Sequence, residues 1–160
     1  MSRKQLNKIL IMANSFERFH VFYQIRNSLS DKLYWETLGY VYSLSDNLYD
    51  QRKKVRRCFR ERRPHKSYLM SKLERDYLNT LPETLTIYRG MTCKEYKSKE
   101  FGISWTLKKE KAEFFAFTYW RNFSTNHLKK MVHSIDIKKS QVEAYFGGRN
   151  ESEIIYLGSK

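Results

Sequence analysis

The chain is poor in the residues that punctuate or cross-link a fold. Its 160 residues include two cysteines, two prolines and six glycines. Cys58 and Cys93 lack metal-ligand spacing and need not pair, which is consistent with a reducing cytoplasm. His20, His65, His127 and His133 show no metal spacing and no nucleophile partner, so no metal site is expected. His133 falls in an expected strand and reads as a packing residue. No glycine-rich loop of the P-loop or dinucleotide-fold type is present, which excludes those routes to a nucleotide. No apolar run approaches the ~20 residues that span a bilayer, so no membrane partner is expected. The basic start, Met1-Ser2-Arg3-Lys4, is not followed by the apolar segment of a signal peptide, and a cytoplasmic location is the expectation. There is no internal repeat and no low-complexity segment.

Acidic side chains are also scarce. Lysine and arginine number 31 against 17 aspartates and glutamates, a formal charge of +14. The excess is spread along the chain. Residues 1–83 carry 17 basic and 9 acidic groups, and residues 84–160 carry 14 and 8. Such a surface attracts polyanions, whether RNA, DNA, acidic protein or anionic lipid. Aromatics make up 16% of the chain, enough for a dense core despite 30% charged residues. The length suits one domain, expected to comprise a helical part over 1–83 and a β-rich part over 84–160.

Apolar spacing predicts helix from residue 3 to about 27, through Leu6, Ile9, Leu10 and Ala13, with a bend at Asn14-Ser15 before Phe16, Phe19, Phe22 and Tyr23. Ser30 or Asp31 caps a second helix, in which Tyr34, Leu38, Val41, Ser45 and Leu48 keep helical spacing. Ser45 or Asp46 is an alternative start for a further helix. Arg52, Lys53, Lys54, Arg56, Arg57, Arg60, Arg62 and Arg63 then place eight cations in twelve positions. Val55 and Phe59, four apart, let one side pack. The run is either a solvated helix face or a ridge that docks nucleic acid. Beyond Pro64 a short helix, Lys66 to Asn79, carries Leu69, Leu73 and Tyr77 on one side.

The composition then changes. Thr84 to Arg89 favours strand, Met91 to Glu100 reads as a polar loop, and Phe101 to Thr106 as another strand. Thr106 can cap a helix reaching about Trp120 with Ala112, Phe115, Ala116 and Tyr119 as its buried stripe. Lys130 to Ile137, Val142 to Phe146 and Glu153 to Leu157 complete the strands. Helices first and strands after, with one helix between, argue α+β. Near the end, Gly147-Gly148 precedes Glu151 and Glu153, and an apolar run follows. On an extended strand these two acids would project side by side.

Three short motifs stand in order, Tyr88-Arg89-Gly90, Ser104-Trp105-Thr106 and Glu151-Ser152-Glu153. Together they resemble the R-S-E class of mono-ADP-ribosyltransferases, the arginine-type group that includes many bacterial and phage toxins. The resemblance covers about residues 84–158. It implies a small mixed or antiparallel β-sandwich core with one intervening helix, and NAD as substrate. Arg89, flanked by Tyr88 and Gly90, would hold the dinucleotide, since a guanidinium fork suits phosphate oxygens. Ser104 would brace the catalytic glutamate, Thr106 would support the sheet and start the helix, and Trp105 would face the other way into packing. Arg121 and Phe123 match the loop that contacts phosphate and nicotinamide.

By the same resemblance Glu153 stabilises the oxocarbenium-like ribose as nicotinamide leaves. Glu151 orients or deprotonates the incoming nucleophile, a role suited to a nitrogen carrying hydrogens. Tyr145, Phe146 and Arg149 correspond to the target-recognition turn, where an aromatic ring would stack on the acceptor or else pack the strand end. The charge favours RNA as acceptor. Transfer to a protein arginine is the alternative, and a basic RNA-binding module without activity is a third. An enzyme that consumes NAD or modifies RNA would harm its own cell, so a neutralising partner protein, an antitoxin, is expected.

Overall fold

The computed structural model describes residues 1–46, 48–119 and 127–158, with Arg149 described by its backbone alone. The chain divides into two compact units, Met1–Arg75 and Asp76–Lys160.

The first unit is helical, with α1 (Arg3–Met12), α2 (Arg18–Ile25), α3 (Asp31–Leu44) and α4 (Arg52–Phe59). Asn14 makes the expected bend. Its Oδ1 accepts the amides of Phe16 at 2.9 Å and Glu17 at 3.0 Å, a local alternative to continuing the helix. Ser30 occupies the N-cap of α3 and Asp31 its first turn, where a carboxylate complements the helix dipole. The helix ends at Leu44 and does not run on to Leu48. Its final carbonyl accepts the Arg18 guanidinium at 2.7 Å, which satisfies one of the orphan groups of a helix end. Phe19, Phe22, Tyr34, Trp35, Leu38, Val41 and Phe59 form the core. The Tyr34 hydroxyl donates to the Cys58 carbonyl at 3.0 Å and Trp35 Nε1 to the Pro64 carbonyl at 2.9 Å, so both buried aromatics keep their polar ends paired. Gly39 is tolerated within α3 because a Cβ there would lie 2.3 Å from the Leu69 carbonyl oxygen.

The helix expected from Lys66 to Asn79 is divided. A single 3-10 turn, Lys66–Leu69, is followed by extended Met70, and α5 occupies Lys72–Thr80. Ser71 and Glu74 cap α5 reciprocally, each side chain accepting the other's backbone N–H. The break separates Leu69 from Leu73, so they share no buried stripe; Leu69 is 3% exposed and Leu73 81%.

The second unit carries β1 (Thr84–Thr92), β2 (Ser104–Thr106), β3 (Lys130–Lys138), β4 (Val142–Phe146) and β5 (Glu153–Tyr156). They form one five-stranded sheet in the order β3-β1-β2-β5-β4, every neighbouring pair antiparallel. The architecture is α+β. The described strands make a single open sheet and not the two packed layers of a sandwich, because the short β2 bridges β1 to β5 and joins both halves. Leu85, Ile87 and Met91 of β1 alternate to one face and are buried, as are Trp105, Ile137 and Ile154.

Two connections differ from expectation. The polar stretch after β1 contains α6 (Cys93–Ser98), capped by Thr92 Oγ1 accepting the Glu95 amide at 3.1 Å. The next helix, α7 (Lys109–Glu113), widens into a π turn over Phe114–Thr118, closed by the Tyr119 amide on the Phe114 carbonyl at 2.9 Å. Ala112 and Ala116 are buried as expected, while Phe115 and Tyr119 are half-buried. Gly90 lets α7 approach β1, since a Cβ there would meet the Ala112 carbonyl oxygen at 2.3 Å. No described helix is long and apolar enough to cross a membrane.

Candidate functional site

β2 has only three residues, but each meets a neighbour. Tyr88 pairs with Thr106, Thr106 with Glu153, and Ser104 with Ile155. Paired residues and residues two apart share a sheet face, so Ser104, Thr106 and Glu153 belong to one side, with Tyr88. Glu153 is the diagonal neighbour of Ser104, and Ser104 Oγ donates to Glu153 Oε1 at 2.5 Å. This charge-assisted bond fixes the carboxylate's orientation. Thr106 Oγ1 donates to the Glu151 carbonyl at 2.7 Å and accepts the Lys108 amide at 3.1 Å. One hydroxyl thus secures both the turn before β5 and the approach to α7.

Glu151 and Glu153 do not stand side by side on a strand. Glu151 has helical dihedrals, φ −88° and ψ −18°, and β5 begins at Glu153. Between them Ser152 is left-handed at φ 47° and buried. That conformation disfavours a residue with a Cβ. It is held here by the Leu107 amide, which donates to the Ser152 carbonyl at 3.1 Å. The alternation of a strand needs extended backbone at all three positions, and Ser152 breaks it.

Arg89 lies on the other side of the sheet. Alternation along β1 puts it in register with Leu85, Ile87 and Met91, opposite to Tyr88. Its Nε donates to Glu95 Oε1 at 2.8 Å and its Nη1 to the Ser104 carbonyl at 2.7 Å. Glu95 Oε1 also accepts the Gly102 amide at 2.9 Å. The Arg89 and Glu95 side chains are 16% and 8% exposed, a largely desolvated ion pair. Arg89 and Glu153 are therefore connected through Ser104, whose carbonyl takes one and whose hydroxyl reaches the other. Sequence reasoning missed Glu95. Its signal was the Thr92-x-x-Glu95 spacing of a helix start, which marks a cap but says nothing of Arg89.

The remaining expected site residues divide. Tyr88 is half-buried beside Thr106, and Gly90 serves the contact with α7. Tyr145 and Phe146 do not form a stacking platform. They are 7% and 6% exposed, and Tyr145 stacks on Tyr77 with ring centroids 4.6 Å apart. Their pairing with Ile154 and Glu153 draws both into strand-end packing. The Arg149 side chain, Arg121 and Phe123 lie outside the described residues. Trp105 faces packing as expected, and its ring meets those of Phe101, His133 and Tyr156. Burial and then Lys99 hold the His133 imidazole below its usual pKa. A cavity of about 350 Å³ lies at the Thr92 end of β1, lined by Thr92, Cys93, Lys94, Lys97, Leu128 and Lys129, away from Ser104 and Glu153. Among the described residues no cluster of three His, Cys, Asp or Glu is placed to hold a metal ion.

In the helical unit, Val55, Cys58 and Phe59 turn α4 inward, while Lys53, Lys54, Arg57 and Arg60, with Arg62 beyond it, are exposed. Arg56 is half-buried, and burial together with the Arg60 guanidinium lowers its pKa. Arg52 lies over the Tyr49 ring at 4.7 Å. Arg63 departs from the ridge. It donates to the Leu29 carbonyl at 3.2 Å, pairs with Asp31 at 3.4 Å and covers the Tyr34 ring at 4.3 Å. No family model, curated protein or solved structure matches the chain.

Proposed function

We propose that the Asp76–Lys160 unit is a toxin-like, NAD-dependent mono-ADP-ribosyltransferase that transfers ADP-ribose to a nitrogen nucleophile on RNA. The observation that carries this reading is the Ser104 Oγ to Glu153 Oε1 hydrogen bond, made by residues 49 positions apart at the places the motif resemblance assigns.

Glu153, oriented by Ser104, faces the ribose carbon whose bond to the nicotinamide nitrogen breaks. The bonding pair leaves with nicotinamide, which departs neutral and needs no proton. Glu153 stabilises the positive charge that develops on the sugar and accepts a hydrogen bond from the ribose 2′-hydroxyl. Glu151, at the turn before β5, takes the proton from the acceptor nitrogen as the new carbon–nitrogen bond forms. Arg121 supplies a cation for the pyrophosphate in this scheme.

The exposed cations of α4 and the charge of +14 favour RNA over a protein arginine as acceptor. A second reading, an RNA-binding module without activity, is favoured by α4 alone. Labelled NAD incubated with total RNA and with total protein, followed by nuclease or protease, separates these. Nuclease-sensitive label is the expected result. Protease-sensitive label would make the acceptor a protein, and no nicotinamide release would leave only the binding module. Because transfer would injure the producing cell, an acidic neutralising protein is proposed as partner. Unimpaired growth of cells making the active protein alone would count against it.

A further inference from the structure

We infer that Glu95 is a positioning residue of the Ser104–Glu153 site, acting through Arg89, and this inference rests on the transferase reading above. Glu95 touches neither Ser104 Oγ nor Glu153. Its Oε1 holds two donors at once, Arg89 Nε at 2.8 Å and the Gly102 amide at 2.9 Å. The pair is largely out of solvent, where removing one charge strands the other at high cost. The guanidinium is thereby fixed in plane and direction, with Nη1 on the Ser104 carbonyl at 2.7 Å.

The Ser104 carbonyl needs that donor. Tyr156 donates its amide to the Ile103 carbonyl at 2.9 Å, so the Ile103 carbonyl points toward β5. Successive carbonyls along a strand point to opposite sides, which turns the Ser104 carbonyl toward β1. The only register pair between β1 and β2 among the described residues is Tyr88 with Thr106, so Ser104 lies beyond that ladder. The Arg89 side chain takes the place of a ladder donor. Glu95 and Arg89 thus hold β2 from the face opposite Glu153, and Ser104 presents its hydroxyl on the other. Arg89 is a brace here and not a ligand for pyrophosphate.

The test compares Glu95→Ala, Glu95→Gln, Ser104→Ala and the paired change Arg89→Met with Glu95→Leu. The paired change removes both charges together, so that neither is left buried alone. The first readout needs no activity. It is the ¹³C resonance of the Glu153 carboxyl group in the full chain. Glu95→Ala and the paired variant are expected to move it as Ser104→Ala does, and Glu95→Gln, which keeps an acceptor, to leave it in place. An unmoved resonance in the folded paired variant overturns the brace. The second readout is nicotinamide release. Loss of the brace is expected to lower kcat about 100-fold, the size of effect that a misplacement of about 1 Å produces, with KM for NAD unchanged. A raised KM with unchanged kcat would instead make Arg89 a phosphate ligand and overturn the proposal. If the unaltered chain releases no nicotinamide, the transferase reading falls, and the resonance by itself decides whether Glu95 positions Ser104.

Discussion

Gly102 leaves the space that the Arg89 guanidinium fills. A Cβ on Gly102 would come 2.3 Å from Arg89 Nη2 and 2.6 Å from Cζ. Arg89 is held on two sides by Glu95 and the Ser104 carbonyl, so it has little freedom to withdraw. Gly102→Ala is therefore expected to push the guanidinium out of place without removing any polar group. Overpacking of this kind costs about 1–3 kcal/mol. The variant should melt lower but cooperatively, and nicotinamide release should fall about tenfold or more. Release at the unaltered rate from a folded variant would separate the position of Arg89 from the chemistry.

Glu153→Gln keeps shape and an acceptor for Ser104 Oγ but removes the charge. Nicotinamide release is expected to fall by about 10²-fold or more, with the thermal midpoint unchanged. Glu151→Gln is expected to lose transfer more than NAD hydrolysis, because water can still attack the sugar. Equal loss of both in that variant would remove Glu151 from acceptor activation.

The cations of the α4 region are not equivalent. Replacing Lys53, Lys54, Arg57 and Arg60 with Ala is expected to weaken RNA binding and flatten its dependence on salt, by about 0.7 in log–log slope for each single-strand phosphate that is no longer neutralised. Arg63→Ala should leave that slope alone and instead destabilise the helical unit by about 1–3 kcal/mol, since it loses its bonds to Leu29 and Asp31 and its cover over Tyr34. Binding isotherms at several salt concentrations, with a denaturation curve for each variant, check both.

Cys58 is fully buried, and burial pushes its thiol up to about 11. Only the thiolate reacts, so Cys58 should be silent toward a disulfide reagent near neutral pH until the chain unfolds. Cys93 is half-buried and should react first. One fast thiol in the native chain and two in denaturant is the expected titration; two fast thiols in the native chain would contradict the packing of α4.

His133 lies within a ring of Tyr96, Phe101 and Trp105, and burial with Lys99 nearby disfavours its protonated form. The unfolded chain therefore binds this proton more readily than the folded one. The resulting stability is complete above the ordinary imidazole value of 6.5 and is lost as pH falls from there toward the lower folded value. The fall in stability below that pH should be smaller in His133→Phe than in the unaltered chain. Identical pH profiles would assign the fall to other groups.

Much of the local structure is legible in the order of residues. Asn14 can accept its own following amides, so a bend there is a property of the residue. The β-favouring run from Thr84 to Arg89 and the apolar run at Ile154-Ile155 announce strands because neighbours in sequence set the preference, although β1 runs on through Met91 to Thr92, where a loop is expected. The inward turn of Trp105 follows from the alternation of a strand. The Thr92 cap of α6 is equally local, but the polar stretch around it hides the helix that it starts.

The rest depended on which strands meet. Three residues of β2 join β1 to β5, so one open sheet replaced a sandwich. Tyr145 and Phe146 became packing because β4 pairs with β5. Ser152 takes a left-handed turn because Leu107, far along the chain, holds its carbonyl, and that turn takes Glu151 off the strand on which its spacing from Glu153 suggested a common face. Arg89 reaches Ser104, and Ser104 reaches Glu153, only once the sheet has formed. The order of amino acids by itself determined the bend at Asn14, the start of α3 at Ser30 and the apolar character of the strands, since those depend on near neighbours. Tertiary structure alone decided which distant polar groups hold one another, because a hydrogen bond depends on distances of about 3 Å that strand pairing sets.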